Sequence, residues 1–234
     1  MAQKKLQRFA DIKTFPNVLE YPEGMKGNWK RFFKNTNPVI LELACGRGEY
    51  TVGLAQLFPN RNFIGVDVKG NRMYIGAKKS LTDNITNAGF LRTQIEKLDE
   101  YFAAGEVDEI WITFPDPQLR VSKAKKRLTH PRFLRLYNNI LKPGGHIHLK
   151  TDSPDLYMFT KLVAELYGLN IAENSDDIYA EEPVLQELQI KTHYESLDIA
   201  DSKRIHYLKF NLPAEIKDLD KKLQDILRHE EQLD

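Results

Sequence analysis

Pro115-Asp116-Pro117 follows the apolar run Ile110-Trp111-Ile112. Proline fixes φ and has no N–H to give to a sheet ladder, so a strand there must stop and Asp116 is held just past its C-terminal end. In open α/β sheets that edge is where ligands bind. From Pro117 to Thr151 there is no Asp or Glu, while Arg120, Lys123, Lys125, Lys126, Arg127, Arg132, Arg135, Lys142 and Lys150 all fall there. One caged acid before a long cationic segment suggests a reaction centre beside a polyanion site. The plain alternative is a proline-rich loop with a solvated basic face.

A second group of residues lies upstream. Gly46 and Gly48 separate the apolar run Val39-Ile40-Leu41-Glu42-Leu43 from a helical stretch at 49–57. Glycines there let a ligand approach the backbone at a helix N-terminus. A dinucleotide fingerprint needs a third glycine where Thr51 stands, which disfavours pyrophosphate binding and an NAD-dependent oxidoreductase. Asp67 ends a second apolar run, Asn62 to Val66, about twenty residues further on, where an acid accepts from ribose hydroxyls or caps the next helix. Glu42 lies inside a buried run, is costly there if unpaired, and is expected to face a pocket whose ligand donates hydrogen bonds or carries positive charge.

These residues need strands that end at one edge, and the chain supplies them. Strands are expected at 39–43, 62–67, 90–95, 106–113, 146–150, 168–172, 188–192 and 205–210. Helices are expected at 49–57, 71–88 with Gly89 beyond its end, 131–141, 154–167 and from Pro213 onward. Lys142-Pro143-Gly144-Gly145 reads as a tight turn. Strand and helix alternate for five rounds, which predicts an α/β fold with a doubly wound, mostly parallel sheet of seven strands and helices on both faces. Residues 1–37 read as an irregular arm with a short helix near 28–34, residues 38–212 as the domain, and 213–234 as a C-terminal helix, all one unit.

With 234 residues, 41% hydrophobic and 29% charged, the chain can bury a sizeable core. The net charge of +1 announces no polyanion partner, but the distribution permits a basic face. Lys and Arg outnumber Asp and Glu eight to three over residues 1–40, and Asp176 to Asp201 is acidic. One cysteine, Cys45, excludes an internal disulfide and fits a reducing compartment. Met1-Ala2-Gln3-Lys4-Lys5 leads into no apolar segment and no stretch is long enough to span a bilayer, so a soluble, cytoplasmic protein is expected. His146 and His148 share a strand face with no carboxylate near in sequence, so no metal site is expected. Phe63, Phe90, Trp111 and Phe114 read as core. Trp29, Phe32 and Phe33 beside Lys30, Arg31 and Lys34 fit either packing of the arm or contact with RNA.

Leu41-Glu42-Leu43-Ala44-Cys45-Gly46-Arg47-Gly48-Glu49 resembles the first motif of class I S-adenosylmethionine-dependent methyltransferases, a Rossmann-like fold. Phe114-Pro115-Asp116-Pro117, Lys125-Lys126-Arg127-Leu128-Thr129, Thr151-Asp152 and Thr192-His193-Tyr194-Glu195 are similar to motifs of the bacterial tRNA (guanine-N7)-methyltransferase family. That family modifies nucleotide 46 in the variable loop of tRNA. The resemblance runs from about Pro38 to Phe210. It implies S-adenosylmethionine contacts from Glu42, Asp67, Gln94 and Asp116 alongside the glycine turn at Gly46 and Gly48. It implies tRNA or guanine contacts from Arg120, Asp152, Thr192, His193, Tyr194 and Glu195. The partners it implies are tRNA and the methyl donor, on a monomer or homodimer. Three positions depart from the family pattern: Gln118 where Trp is frequent, Arg120 where Lys is usual, and Gln94 where Asp or Asn is common. Arg120 replaces a point charge with a planar fork.

Guanine N7 carries an in-plane lone pair and no proton, so its methylation needs no obligatory base. The protein would supply in-line positioning and electrostatics suited to a cationic product. Asp116 is therefore expected to orient the base and stabilise charge. The rival readings are a methyltransferase for protein or small molecules, which leaves the acid-free block unexplained, and a non-catalytic tRNA-binding module.

Overall fold

The computed structural model describes residues 2–180, 182–197 and 204–232, with side chains from Leu6 onward. The last residues of the acidic stretch (Asp198, Asp201) and of the C-terminal segment (Leu233, Asp234) lie outside them. In chain order the elements are α1 (Ala2–Ile12), β1 (Val18–Glu20), α2 (Trp29–Phe33), β2 (Val39–Leu43), α3 (Glu49–Leu57), β3 (Asn62–Asp67), α4 (Gly70–Thr82), β4 (Ala88–Arg92), α5 (Leu98–Tyr101) and β5 (Val107–Thr113). There follow α6 (Pro131–Ile140), β6 (Leu141–Thr151), α7 (Pro154–Tyr167), β7 (Asn170–Ser175), β8 (His206–Asn211) and α8 (Asp220–Glu231).

The apolar runs become strands because both faces of the sheet are covered. The strand order is β1-β4-β3-β2-β5-β6-β8-β7, parallel from β1 to β6, with β8 antiparallel to both its neighbours. On one face Leu41, Leu43, Ile64, Val66, Ile110, Ile112, Ile147 and Leu149 pack with Phe133, Tyr137, Leu156 and Val163 of α6 and α7. On the other, Ile40, Phe63, Trp111 and Tyr207 meet Tyr50 and Leu54 of α3, Ile178, and Leu188 of a 3₁₀ turn. His148 is a sheet-face residue, stacked 3.9 Å from Trp111 and within 2.7 Å of the Tyr207 hydroxyl and 3.1 Å of Glu109.

The sheet has eight strands, not seven. The extra one, β1, comes from the segment expected to be an irregular arm and pairs along Phe90 to Arg92, with a 2.7 Å Arg92–Glu20 ion pair. Trp29 is fully buried, stacked 4.9 Å from Phe102, and its indole N–H donates to the Tyr101 carbonyl, so the arm's aromatics are core. Helix α4 stops at Thr82, with left-handed Asn84 (φ 57°) just beyond, and Gly89 lies inside β4. A Cβ on Gly89 would sit 2.9 Å from Phe32, so this glycine serves packing and is no helix end. The Lys142–Gly145 turn is absorbed into β6 as an irregularity, the register with β5 jumping from Val107↔Leu141 to Glu109↔His146. Residues 188–192 form no strand, and the last helix opens at Asp220, not Pro213. No helix of the described residues is long and apolar enough to cross a membrane.

Candidate active site

Every residue singled out after β2, β3, β4, β5 and β6 lies at or just beyond the C-terminal end of its parallel strand. The chain reverses direction across the sheet between β2 and β5, which is where α/β sheets open a crevice. Asp116 hangs over that point. The chain leaves β5 through Phe114 (φ 46°), whose N–H donates to the Lys150 carbonyl at 2.8 Å. Gln118 is also left-handed (φ 49°), and its N–H donates to Asp116 Oδ1 at 3.0 Å. Two non-glycine residues in this region cost about 1–3 kcal/mol each and persist only where neighbours enforce them. Arg127 does so here. It is 4% exposed, its guanidinium donates to the carbonyls of Pro117, Gln118 and Leu119 at 3.1–3.2 Å, and it stacks 4.4 Å over Phe159. Asp116 is thereby exposed on a loop that is clamped from behind.

The glycine turn is braced through Glu42. One carboxylate oxygen accepts from the Thr51 N–H at 2.8 Å and from the Thr51 hydroxyl; the other accepts from the Thr113 hydroxyl at 2.8 Å. Burial pushes the Glu42 carboxyl up to about 7, against the Thr51 and Thr113 hydrogen bonds that favour its charged form. Glu42 is 3% exposed, so the donors expected from a ligand come instead from the protein. One of them is Thr51, the residue that breaks the dinucleotide fingerprint. The Glu42–Thr113 bond joins β2 to the start of the Asp116 loop.

Gly46 and Gly48 are both left-handed but for different neighbours. A Cβ on Gly48 (φ 74°) would lie 2.5 Å from the Phe90 ring, so that glycine is required by packing. A Cβ on Gly46 (φ 55°) would find nothing closer than 3.9 Å, the Tyr194 ring and the Ala44 carbonyl. The open side of the turn is at Gly46. Its N–H donates to Asp67 Oδ2 at 2.9 Å, and Asp67 Oδ1 accepts from the Lys69 N–H at 2.8 Å. Asp67 thus stands beside the open turn and also shapes the entry to α4.

Thr192–Glu195 folds back over this edge. Thr192 Oγ1 accepts from the Glu195 N–H, and the Tyr194 hydroxyl accepts from Arg72 at 2.5 Å. The Glu195 carboxylate takes a 2.9 Å bond from Lys150 Nζ and a 2.5 Å bond from the Tyr179 hydroxyl. Lys150 is fully buried and donates also to the carbonyls of Leu188 and Ile190 at 2.7 and 3.0 Å. Burial pulls its pKa below the ordinary lysine range, with Glu195 opposing. Gln94 is exposed where a 3₁₀ turn starts beyond β4, Arg120 is exposed before the 3₁₀ turn Val121–Lys126, and Asp152 and His193 are half-buried.

Residues 36–208 match a family described as "Putative methyltransferase". Over 213 residues, 86% of each chain, the sequence is 51% identical to the tRNA (guanine-N(7)-)-methyltransferase of Porphyromonas gingivalis. It is 48% identical to that of Bacteroides thetaiotaomicron over 92% of this chain and 88% of the relative. The chain belongs to the tRNA (guanine-N(7)-)-methyltransferase family. Solved methyltransferases share the fold at low identity. The 16S rRNA methyltransferase KamB has a TM-score of 0.62 at 17% identity, covering 82% of this chain and 96% of that one. A 30S ribosomal methyltransferase from an uncultured bacterium has 0.59 at 20%, with the same coverage.

In this methyltransferase the cationic block divides once folded. Arg132 pairs with Glu96 at 3.3 Å, Arg135 with Asp220 at 2.7 Å, Lys142 with Asp108 and Lys150 with Glu195, while Arg127 serves the Asp116 loop. Among the described residues Arg120, Lys123, Lys125 and Lys126 make no ion pair, and they fall in and just before the 3₁₀ turn that follows the Asp116 loop. The structural parts played by Arg127 and Lys150 were hidden by their membership of that block. The available signal for Lys150 was its phase, since it shares the face of His146 and His148 in a strand too apolar to leave a lysine in solvent.

Proposed function

We propose that the chain transfers a methyl group from S-adenosylmethionine to N7 of guanine in tRNA, at nucleotide 46 of the variable loop. The observation that carries this reading is the placement of Asp116: exposed, clamped by Arg127, tied through Thr113 and Glu42 to the glycine turn, and followed along the chain by four cations that make no ion pair among the described residues. The relatives' shared name supplies the substrate class. The site suits the donor, since Gly46 presents open backbone next to the Asp67 carboxylate, an acceptor for ribose hydroxyls. The donor contributes an electrophilic methyl carried on a positively charged sulfonium.

The protein's own work is positioning and electrostatics. Asp116 accepts from the N1–H and N2–H₂ edge of the guanine, fixing the ring so that N7 faces the methyl, and its charge favours the purine as it turns cationic. Glu42 holds the turn and the Asp116 loop in register. Gln94, Asp152, Thr192 and His193 line the same edge, where the resemblance gives them donor or guanine contacts, while Glu195 acts through its bond to Lys150. Arg120 and the 3₁₀ turn hold phosphates. N7 lies in a groove too deep to reach when the base is in A-form helix, so the target must be unstacked or in an accessible tertiary fold. A tRNA-directed reaction assigns the protein to the cytoplasm.

Incubation with labelled S-adenosylmethionine and total tRNA, followed by mapping of the modified nucleotide, tests the assignment. N7-methylguanine at nucleotide 46 is expected, and label in protein or at another base would overturn it. Asp116→Ala is expected to lower kcat at least about 100-fold, the scale of losing a preorganised polar group at the reacting centre. Retention of kcat within a few-fold would remove Asp116 from that role.

A further inference from the structure

Arg72 lies in the first turn of α4, five residues beyond Asp67. Its guanidinium donates to the Tyr194 hydroxyl at 2.5 Å and sits 5.7 Å over the Tyr194 ring. That ring in turn stands 3.9 Å from the position a Cβ would take on Gly46, on the open side of the glycine turn. Gly46 donates to Asp67, so Asp67, Gly46, Tyr194 and Arg72 follow one another as neighbours along the open side of the turn. The chain bearing Tyr194 is fixed from behind, because Lys150 holds Leu188, Ile190 and Glu195. Both Arg72 and Tyr194 are half-buried, and Arg72 makes no ion pair among the described residues.

We infer that Tyr194 belongs to the methyl-donor pocket, with Arg72 as the residue that positions it. This rests on the methyltransferase reading above and reassigns Tyr194, which the resemblance gives to the RNA. A ligand seated on the Gly46 backbone meets the tyrosine ring before any nucleotide of an RNA does. An aromatic face beside that seat also suits a ligand carrying positive charge. Without the Arg72 hydrogen bond the ring loses its one polar anchor among the described residues and swings away from the turn.

The test measures the two ligands separately. Binding of S-adenosylmethionine is followed by calorimetry, and binding of tRNA without donor by filter retention, for the wild type, Arg72→Met, Arg72→Lys, Tyr194→Phe and the Arg72→Met/Tyr194→Phe pair. Arg72→Met and Tyr194→Phe are each expected to weaken donor binding roughly tenfold, the scale of one charged hydrogen bond, with tRNA affinity within about twofold of wild type. Arg72→Lys, which keeps a donor, should recover part of the loss. The double variant should be no weaker than the weaker single, because both remove the same bond. Weakened tRNA binding with unchanged donor binding would overturn the inference. So would a lowered melting temperature with donor affinity intact, or additive effects in the pair. A wild type that takes up no S-adenosylmethionine would instead overturn the methyltransferase reading on which the inference stands.

Discussion

Glu42 carries a charge state that its neighbours decide. An unfolded glutamate loses its proton near 4.5, whereas the folded one keeps it to about 7 because burial disfavours the anion. Between those values the unfolded chain binds fewer protons than the folded one, so this group's contribution to stability falls as pH rises through the window. Fully developed, the loss is about 3 kcal/mol. Glu42→Gln keeps an acceptor for Thr51 and cannot ionise. Urea unfolding at pH 5 and pH 8 is therefore expected to show the wild type losing up to ~3 kcal/mol more than the variant. Equal pH dependence in the two proteins would mean that Glu42 is ionised in the fold throughout. From sequence, a buried acid and a nearby threonine were both visible, but their partnership was not. The helical turn that brings Thr51 back onto β2 forms the pair.

The segment from Gln186 to Leu197 teaches the corresponding lesson about an element. Leu188, Ile190 and Thr192 alternate with polar residues, the period of a strand, yet the chain there is a 3₁₀ turn and irregular backbone. The reason is that Lys150 Nζ takes the Leu188 and Ile190 carbonyls, which a strand would give to a neighbouring ladder. A buried ammonium thus replaces a sheet edge as the organiser of the segment. Lys150→Met leaves Glu195 buried with, among the described residues, only Tyr179 as side-chain donor and is expected to cost about 3–5 kcal/mol in urea unfolding. Lys150→Met/Glu195→Leu removes both charges and should regain most of that loss. If the single variant is as stable as wild type, Lys150 does not organise the segment.

At the scale of the molecule, a nearly neutral chain consumes most of its basic block on folding. Arg132 and Arg135 find Glu96 and Asp220, 36 and 85 residues away along the chain. Arg120, Lys123, Lys125 and Lys126 make no ion pair among the described residues, and the proposed tRNA contact draws on them. Lys125→Glu/Lys126→Glu is expected to weaken tRNA binding at low salt and to reduce the slope of log K against log salt by about two. Arg132→Gln and Arg135→Gln should leave tRNA affinity within about twofold, as measured by the same salt titration. Equal effects from both sets would restore the whole block to the binding surface.

The sequence by itself determined what depends on near neighbours. The prolines around Asp116, the glycine turn, and the helices Glu49–Leu57 and Pro154–Tyr167 were all readable, because φ restriction, capping and side-chain period act over a few residues. The parallel order of strands followed from their alternation with helices. Tertiary structure alone decided which charges are neutralised, that residues 18–20 add an eighth strand, that Glu42 is satisfied by Thr51 and Thr113, and that Tyr194 stands over Gly46. Each of those is a pairing between parts of the chain that meet only when the sheet is assembled. Hydrogen bonds and ion pairs form with whatever the topology brings within reach, and local propensity carries no record of that partner.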